Sequence, residues 1–436
     1  MTVVASVKAP KQAEQLVRVG LIGCGEMGTD IVTQVGLMPG IEIAVVADPR
    51  IDQAHAALRT AGTPPGQVVQ TGSLQTAHDA LRAGRMVVTE DGALACTADH
   101  VDVVIDATGN PSVGAEMALK AFAHRKHVVM MNVEADVTVG PMLAREAARA
   151  GVGYSLGAGD EPSAAMELVR FARSLGYPII AAGKGKNNPL RFDAVPAEYE
   201  EEARRRHMNP RMLVEFIDGS KTMIEMCAIA NATGLVPDKP GMHGPAAGPH
   251  DLARTLVPAE DGGLLSRAGV VDYSVGEGLA PGVFVVIKAP HPRIHERLRD
   301  LKMGPGPYFT FVRPYHLTSL EVPLTAISLA RHGLPHMQPL PVPVAECCCV
   351  AKRPLAPGVT LGKIGEDHYR GWITTAADAR EGRLLPMGLA ERAMVTRPVK
   401  PGEYLTYDNC RPDDTLRIVE LRRAQDALLT EAAMAV

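Results

Sequence analysis

Tryptophan occurs once in this 436-residue chain, and aromatic residues together make up only 4% of it. Stacking platforms for single-stranded nucleic acid or for sugar rings are therefore sparse. A basic excess is missing too. The formal net charge is -4, which gives neither nucleic acid nor an anionic membrane an electrostatic footprint. No apolar run reaches the roughly eighteen residues of a spanning helix. The opening "MTVVASVKAPKQAEQ" lacks a basic segment followed by a long apolar one. Cysteine is scarce, seven in all with three adjacent at Cys347, Cys348 and Cys349. No disulfide framework, CxxC pair or His-spaced metal motif is legible, and the triplet reads as strand core. These absences point to a cytoplasmic protein with a small-molecule partner, in a reducing compartment.

Glycine (42) and proline (34) are plentiful, so turns and loops carry much of the fold. The length exceeds one compact core and predicts two or three domains. Up to about residue 155, near-continuous apolar strands alternate with helical patterns: "VRVGLIG", "IEIAVVAD", "VDVVIDATG" and "KHVVMM" are each followed by a helix. That alternation predicts α/β architecture, a Rossmann-type doubly wound parallel sheet over residues 1–155. Residues 156–340 change character, with motif-like polar loops and mixed elements, and predict a central α+β catalytic or substrate domain. In the last segment, 341–436, "AKRPLAPGVTL" is echoed by "VTRPVKPGEYL". Short strands between rigid Pro-Gly turns predict a small β-rich module.

"RVGLIGCGEMG" (18–28) places Gly23, Gly25 and Gly28, with Glu26 and Met27 between them, directly after a strand and before a helix. In a dinucleotide site the first glycine makes the tight turn and the second admits the pyrophosphate. The third allows close helix–strand packing, and the helix N-terminus offers free N–H donors. Asp48 ends the next strand, where its carboxylate can accept from the adenine ribose. Arg50 follows at a distance suited to adenine or a 2′-phosphate, so NAD and NADP both stay open. Thr108, Gly109 and Asn110 close a later strand at the sheet's ligand-binding edge, and Asn132 closes the one after it.

A hydride-transfer enzyme needs a proton donor or acceptor beside the reacting carbon, and donors for its oxyanion. "GAGDEP" puts Asp160 and Glu161 on a loop before a helix, suited to chemistry or to capping. "AAGKGKNNPLRFD" alternates Lys184 and Lys186 with glycines, followed by Asn188, an arrangement that converges amines on an anionic ligand. "EFIDGSKTMIEMCAIANATG" carries Asp218, Lys221, Glu225 and Asn231 in a small, apolar and hence buried helix, where charge needs partners. "FVRPYHL" adds Arg313, able to grip a carboxylate or phosphate bidentately. It also adds His316, a candidate acid or base as well as a candidate core or capping histidine. A divalent metal has no motif of its own. Were one used, Asp160 and Glu225 would be its ligands.

Taken in order, "VRVGLIGCGEMG", "VDVVIDATGNP", "KHVVMMNVEADVTVGP", "GAGDEP", "FIDGSKTMIEMCAIANATGL", "RPYHL" and "AKRPLAPG…LPMGLA…RPVKPGE" cover nearly the whole chain. This series resembles the homoserine-dehydrogenase-like oxidoreductases with a C-terminal SAF-type domain. That group includes 1-deoxyxylulose-5-phosphate reductoisomerase-like enzymes and apionate oxidoisomerases. The resemblance implies an NAD(P)-linked enzyme, leaning to NADP, with a β-clip-like C-terminal domain and hydride transfer coupled to a skeletal rearrangement. It carries catalytic or binding roles onto Lys184, Asp218, Lys221, Glu225, Asn231 and Arg313. A homo-oligomer is expected. Homoserine itself is not the expected substrate, since the "TANK"-like strand end of true homoserine dehydrogenases reads "MNVEAD" here. The competing expectations are a homoserine or semialdehyde dehydrogenase, and a non-catalytic nucleotide-sensing or sugar-binding regulator.

Overall fold

The computed structural model describes residues 16–187, 190–206 and 208–434. Asn188, expected at the substrate, lies outside the described residues. The first sheet is built from β1 (Val17–Ile22), β2 (Ile41–Ala47), β3 (Val68–Gln70), β4 (Met86–Thr89), β5 (Val103–Asp106), β6 (His127–Met130) and β7 (Tyr154–Leu156). Its connections are helical: α1 (Glu26–Leu37), α2 (Ile51–Thr60), α3 (Leu74–Arg82), α4 (Gly92–Thr97), α5 (Pro111–Ala123) and α6 (Val133–Ala150). All seven strands are parallel, in the order β3-β4-β2-β1-β5-β6-β7. The order reverses at β1, and the carboxyl ends of β1 and β5 therefore open the crevice where such sheets bind ligands.

The chain then crosses α7 (Glu161–Ser174) into a mixed five-stranded sheet. Its elements are β8 (Ile179–Gly185), α8 (Glu200–Arg205), α9 (Pro210–Ile217), α10 (Ser220–Thr233), β9 (Val236–Pro237), α11 (Leu252–Thr255), β10 (Val270–Ser274), β11 (Val283–Lys288), α12 (Pro292–Asp300) and β12 (Tyr308–Arg313). The strand order is β12-β11-β8-β10-β9, with α7 and α10 laid against the sheet. α10 is buried over thirteen of its fourteen residues, as its small, apolar composition requires.

α13 (Val322–His332) comes after the second sheet yet packs under the first. Val322, Ala326 and Leu329 join the core of Val19, Ile105 and Val129. A late helix thus completes the helical layer of the nucleotide-type sheet.

The C-terminal segment forms small antiparallel pairs: β13 (Ala345–Ala351) with β14 (Tyr369–Thr375), and, after α14 (Ala376–Glu381), β15 (Met394–Val395) with β16 (Cys410–Arg411). Its internal repeat pairs with itself. Leu355 of the first copy and Val399 of the second exchange reciprocal backbone hydrogen bonds of 2.9 and 3.0 Å. Cys347, Cys348 and Cys349 lie buried in β13, and all seven cysteines are free. α15 (Arg417–Met434) closes back on α5 and α6, where half-buried Arg422 meets buried Glu346. Among the described residues no helix is long and apolar enough to cross a membrane.

Candidate active site

The glycine loop after β1 is shaped by close approach. Gly23 has φ +99°, and a Cβ there would lie 2.5 Å from the Ala107 carbonyl oxygen. A Cβ on Gly28 would lie 2.1 Å from the Gly23 carbonyl oxygen, whereas one on Gly25 would meet nothing within 4 Å. Gly25 therefore faces open space, with exposed Glu26 and Met27 beside it at the start of α1. Asp48 is buried and orders the loop. Its carboxylate accepts from the Cys24 and Arg50 amides, each at 2.8 Å, and the Arg50 side chain stays exposed. Asn110 and Asn132 cap α5 and α6 through their side-chain oxygens. With Thr108 and Gly109, they line the same carboxyl edge of the sheet.

A short bridge joins this edge to the second sheet. The Thr318 amide donates to the Gly159 carbonyl at 2.9 Å, and the Ser319 hydroxyl donates to Asp30 of α1 at 2.8 Å. The "GAGDEP" loop is thereby seated next to the glycine loop's helix.

Beyond it lies a pocket of about 250 Å³, lined among others by Glu161, Lys184, Lys186, Asn187, Arg206 and His316. β8 delivers Lys184, whose ammonium donates to Glu161 at 2.8 Å and pairs with Glu225 of α10. One turn before Glu225, Lys221 donates to Glu134 at 3.2 Å. One oxygen from each of Asp160, Glu161 and Glu225 can be drawn within 4.8 Å of the others. The His316 Nδ1 donates to the Pro281 carbonyl at 2.6 Å, leaving Nε2 3.5 Å from Glu161. A larger hollow of about 320 Å³ lies at the amino ends of β1, β2 and β4. Its charged lining is Arg18 paired with Glu42, together with Arg85, and it holds no lysine–carboxylate cluster.

The electrostatics of the cluster are strongly coupled. Burial, then neighbouring Glu161, pushes Asp160 well above the usual carboxylate range; burial and Glu161 likewise raise Glu225. For Glu161 burial is outweighed by Lys184 and His316, which hold it low. Burial opposes charge on both Lys184 and Lys221, but their carboxylate partners win and raise each amine. Lys186 goes the other way. Burial and then Lys184 bring it down to about 8, while its ammonium donates to the Phe216 carbonyl. Burial raises Glu215, which faces the same group from α9, to about 8.

Three expected site residues are not brought to this cluster. The Arg313 guanidinium binds Glu167 at 3.0 Å and Glu321 at 2.6 Å, tying β12 to α7 and to the start of α13. Asn231 is spent on backbone, accepting from the Val344 and Ala345 amides at 2.9 Å and donating to the Ala345 carbonyl. Asp218 is fully buried against Lys352 of the C-terminal segment. In exchange, Glu161, Glu134, Glu215 and Arg206 join the site. Glu161 and Glu134 stand in motifs legible from sequence, whereas nothing in "MLVEFID" or "EEARRRH" marks Glu215 or Arg206.

Residues 23–156 match the NAD-binding domain of homoserine dehydrogenase, and residues 159–322 match the catalytic domain of oxidoreductase DRL. The chain is a nicotinamide-dependent oxidoreductase. The regulator reading of the sequence is thereby set aside. No curated protein sequence matches the chain. Among solved structures it is similar to a probable dehydrogenase from Thermotoga maritima at 13% identity and TM-score 0.42, over 73% of this chain and 90% of that one. A myo-inositol dehydrogenase from Corynebacterium glutamicum is similar at 10% identity and TM-score 0.41, over 74% and 90%. A DOX-P reductoisomerase in complex with magnesium is similar at 16% identity and TM-score 0.34, over 49% and 57%.

Proposed function

We propose that this oxidoreductase acts as an NAD(P)-linked reductoisomerase on a small polyhydroxylated acid or sugar phosphate. The observation that carries the reading is the pairing of two buried lysines with separate carboxylates beside one small pocket. A simple dehydrogenase needs one proton donor at the carbonyl that gains hydride. An α-ketol rearrangement needs two proton positions: one hydroxyl loses its proton as the new carbonyl forms, and the old carbonyl oxygen gains one. The Lys184 and Lys221 ammoniums donate to those two oxygens. Glu225, whose proton affinity burial raises, takes the proton the hydroxyl loses, and a bound nicotinamide would supply the hydride that reduces the new carbonyl. Lys186, Arg206 and His316 surround the anionic end of the substrate.

The carboxylates also fit a divalent cation. Besides Asp218, which Lys352 holds, five acids stand around Lys184, Lys186 and Lys221 (Glu134, Asp160, Glu161, Glu215 and Glu225), and the Oε1 atom of Glu225 is buried without a hydrogen-bond partner among the described residues. Asp160, Glu161 and Glu225 would hold the ion, which when bound polarises vicinal substrate oxygens. Asp160 and Glu225 have raised pKa values, so their contribution to stability is present in acid and is lost as pH rises above the carboxylate range. A cation offsets that loss. The Mn²⁺-induced rise in melting temperature is therefore expected to be larger near pH ~8 than near pH ~6, and Glu225→Gln is expected to abolish it.

The function is tested with a panel of aldonic acids, branched acids and sugar phosphates, assayed through NADPH and NADH absorbance with Mg²⁺ or Mn²⁺ present. Turnover of a polyhydroxylated substrate to a rearranged product supports the reading. Turnover of homoserine or a semialdehyde alone overturns it.

A further inference from the structure

We propose that Lys352, on the C-terminal module, is a positioning residue that fixes the geometry of the substrate pocket. This rests on the reading of the Lys184–Lys186 pocket as the substrate site. The sequence marks its surroundings only as half of the "AKRPLAPG" repeat, and the one expected site residue it touches, Asp218, is held away from the Lys184 cluster.

The Lys352 side chain is 1% exposed and reaches three acceptors: the Asp218 carboxylate, the Ala194 carbonyl at 2.9 Å and the Glu366 carbonyl at 2.8 Å. Two of these contacts are hydrogen bonds to carbonyls, and the third is an ion pair with the Asp218 carboxylate. Each of the first two acceptors ends a segment that shapes the pocket. Ala194 closes the 190–194 segment, whose Arg191 amide also donates to the Ile217 carbonyl at 2.9 Å. Asp218 is the junction between α9 and α10. Its other oxygen accepts from the Ser220 amide at 2.8 Å, and Gly219 between them has φ +85°.

Two residues before Asp218, the Phe216 carbonyl receives the Lys186 ammonium. Three residues after it, α10 presents Lys221. A single ammonium thus holds Ala194 and, through Asp218, the turn that joins the carbonyl Lys186 binds to the start of the helix bearing Lys221 and Glu225.

The neighbourhood repeats the same logic with weaker contacts. The Gly371 amide of β14 donates to the Ser220 hydroxyl at 2.9 Å. The Arg370 guanidinium lies 4.4 Å from the Phe192 ring centroid and 4.3 Å from that of Trp372, two rings that themselves meet edge-on at 5.4 Å. The C-terminal module therefore meets the back wall of the pocket at several points, and Lys352 is where that contact is charged and fully enclosed.

The test uses the full chain and needs no substrate for its first readout. Lys186 is labelled with trinitrobenzenesulfonate across a pH series and quantified by peptide mass. The groups facing it are Lys184, Glu225 and Asp218, with Glu161, Arg206 and His316 lining the same pocket, and the parent midpoint is expected at about 8. Lys352→Met leaves a buried carboxylate unpaired, so it is paired with Asp218→Leu, which removes both charges and the penalty of either alone. Lys352→Gln is carried alongside as a second folded variant without the ammonium.

If Lys352 positions the pocket, Lys186 gains solvent and its labelling midpoint in Lys352→Met/Asp218→Leu rises toward the ordinary lysine value of about 10.4, opposite to the fall that losing the facing Asp218 charge alone would give. On a substrate found with the panel, kcat/KM is expected to fall about 10²-fold, the scale of a misplaced catalytic group. NADPH affinity stays at the parent value. A folded variant with the parent midpoint and unchanged kcat/KM overturns the proposal. Failure to find any substrate counts against the proposed function, while the labelling midpoint still decides the role of Lys352.

Discussion

Two strand ends in this chain, "GCGEMG" after β1 and "GKGKNN" at the end of β8, alternate glycine with other residues and use it in opposite ways. After β1, Gly23 and Gly28 let the loop and the helix close on one another, and Gly25 leaves open space before the N-terminus of α1. What is presented there is backbone N–H. In β8 the glycines all fall on one face, where a Cβ on Gly183 would lie 1.6 Å from the Asp272 carbonyl oxygen and one on Gly185 2.4 Å from the Ala280 nitrogen. Strand alternation then throws Lys184 and Lys186 to the opposite face, toward the pocket. The first pattern clears side chains away from a ligand. The second lets neighbouring backbone press in behind side chains that are themselves the ligand groups.

The sharpest way to break that contrast is at the lysine. Lys184→Met keeps the stem and removes the ammonium, and turnover is expected to fall about 10³-fold, within the range for a lost proton-transfer group. NADPH binding, followed by fluorescence, is expected to stay at the parent value. Retained turnover would place the chemistry elsewhere. Its counterpart is Gly25→Val. Because nothing lies within 4 Å of a Cβ there, the fold tolerates the side chain and the ligand does not. NADPH affinity is expected to drop about 10²-fold, the worth of roughly two hydrogen bonds to a charged group, with an unchanged melting temperature. Undiminished affinity would mean that the pyrophosphate rests on another strand end.

The same contrast explains what was legible. The parallel sheet and its glycine loop were readable because strand, turn and helix signals all lie within some thirty consecutive residues of each βαβ unit. Lys184, Lys221 and Glu225 were readable as charge in apolar or glycine-rich surroundings, which demands partners. That rule cannot tell a reacting partner from a structural one. Asn231 and Asp218 sit in the same stretch, but their partners are Val344–Ala345 and Lys352, more than a hundred residues onward. The amphipathic pattern of α13 was legible, but its place was hidden for a related reason, since an amphipathic helix does not state which sheet it covers. Glu215 and Arg206 belong to ordinary-looking surface helices, and only the turn at Gly219 brings the first of them inward.

Arg313 gives the smallest and most discriminating effect. Sequence reasoning made it a grip for an anionic substrate, because an arginine before a helix in "FVRPYHL" offers a bidentate fork. In the fold that fork is already filled: one arm holds Glu167 of α7, the other holds Glu321, whose carboxylate also accepts from the Leu317 amide at 3.0 Å. The guanidinium further lies 5.0 Å over the Tyr315 ring. These contacts secure the 315–321 segment that bridges α1 to the "GAGDEP" loop. Arg313→Met should therefore cost stability, about 1–3 kcal/mol for charge-assisted hydrogen bonds left unmade, seen as a lower denaturation midpoint. KM for the substrate should move by less than about threefold, since no substrate contact is lost. A KM raised about tenfold or more at unchanged stability would return Arg313 to the substrate, and would mean that Glu167 and Glu321 yield it when the ligand arrives.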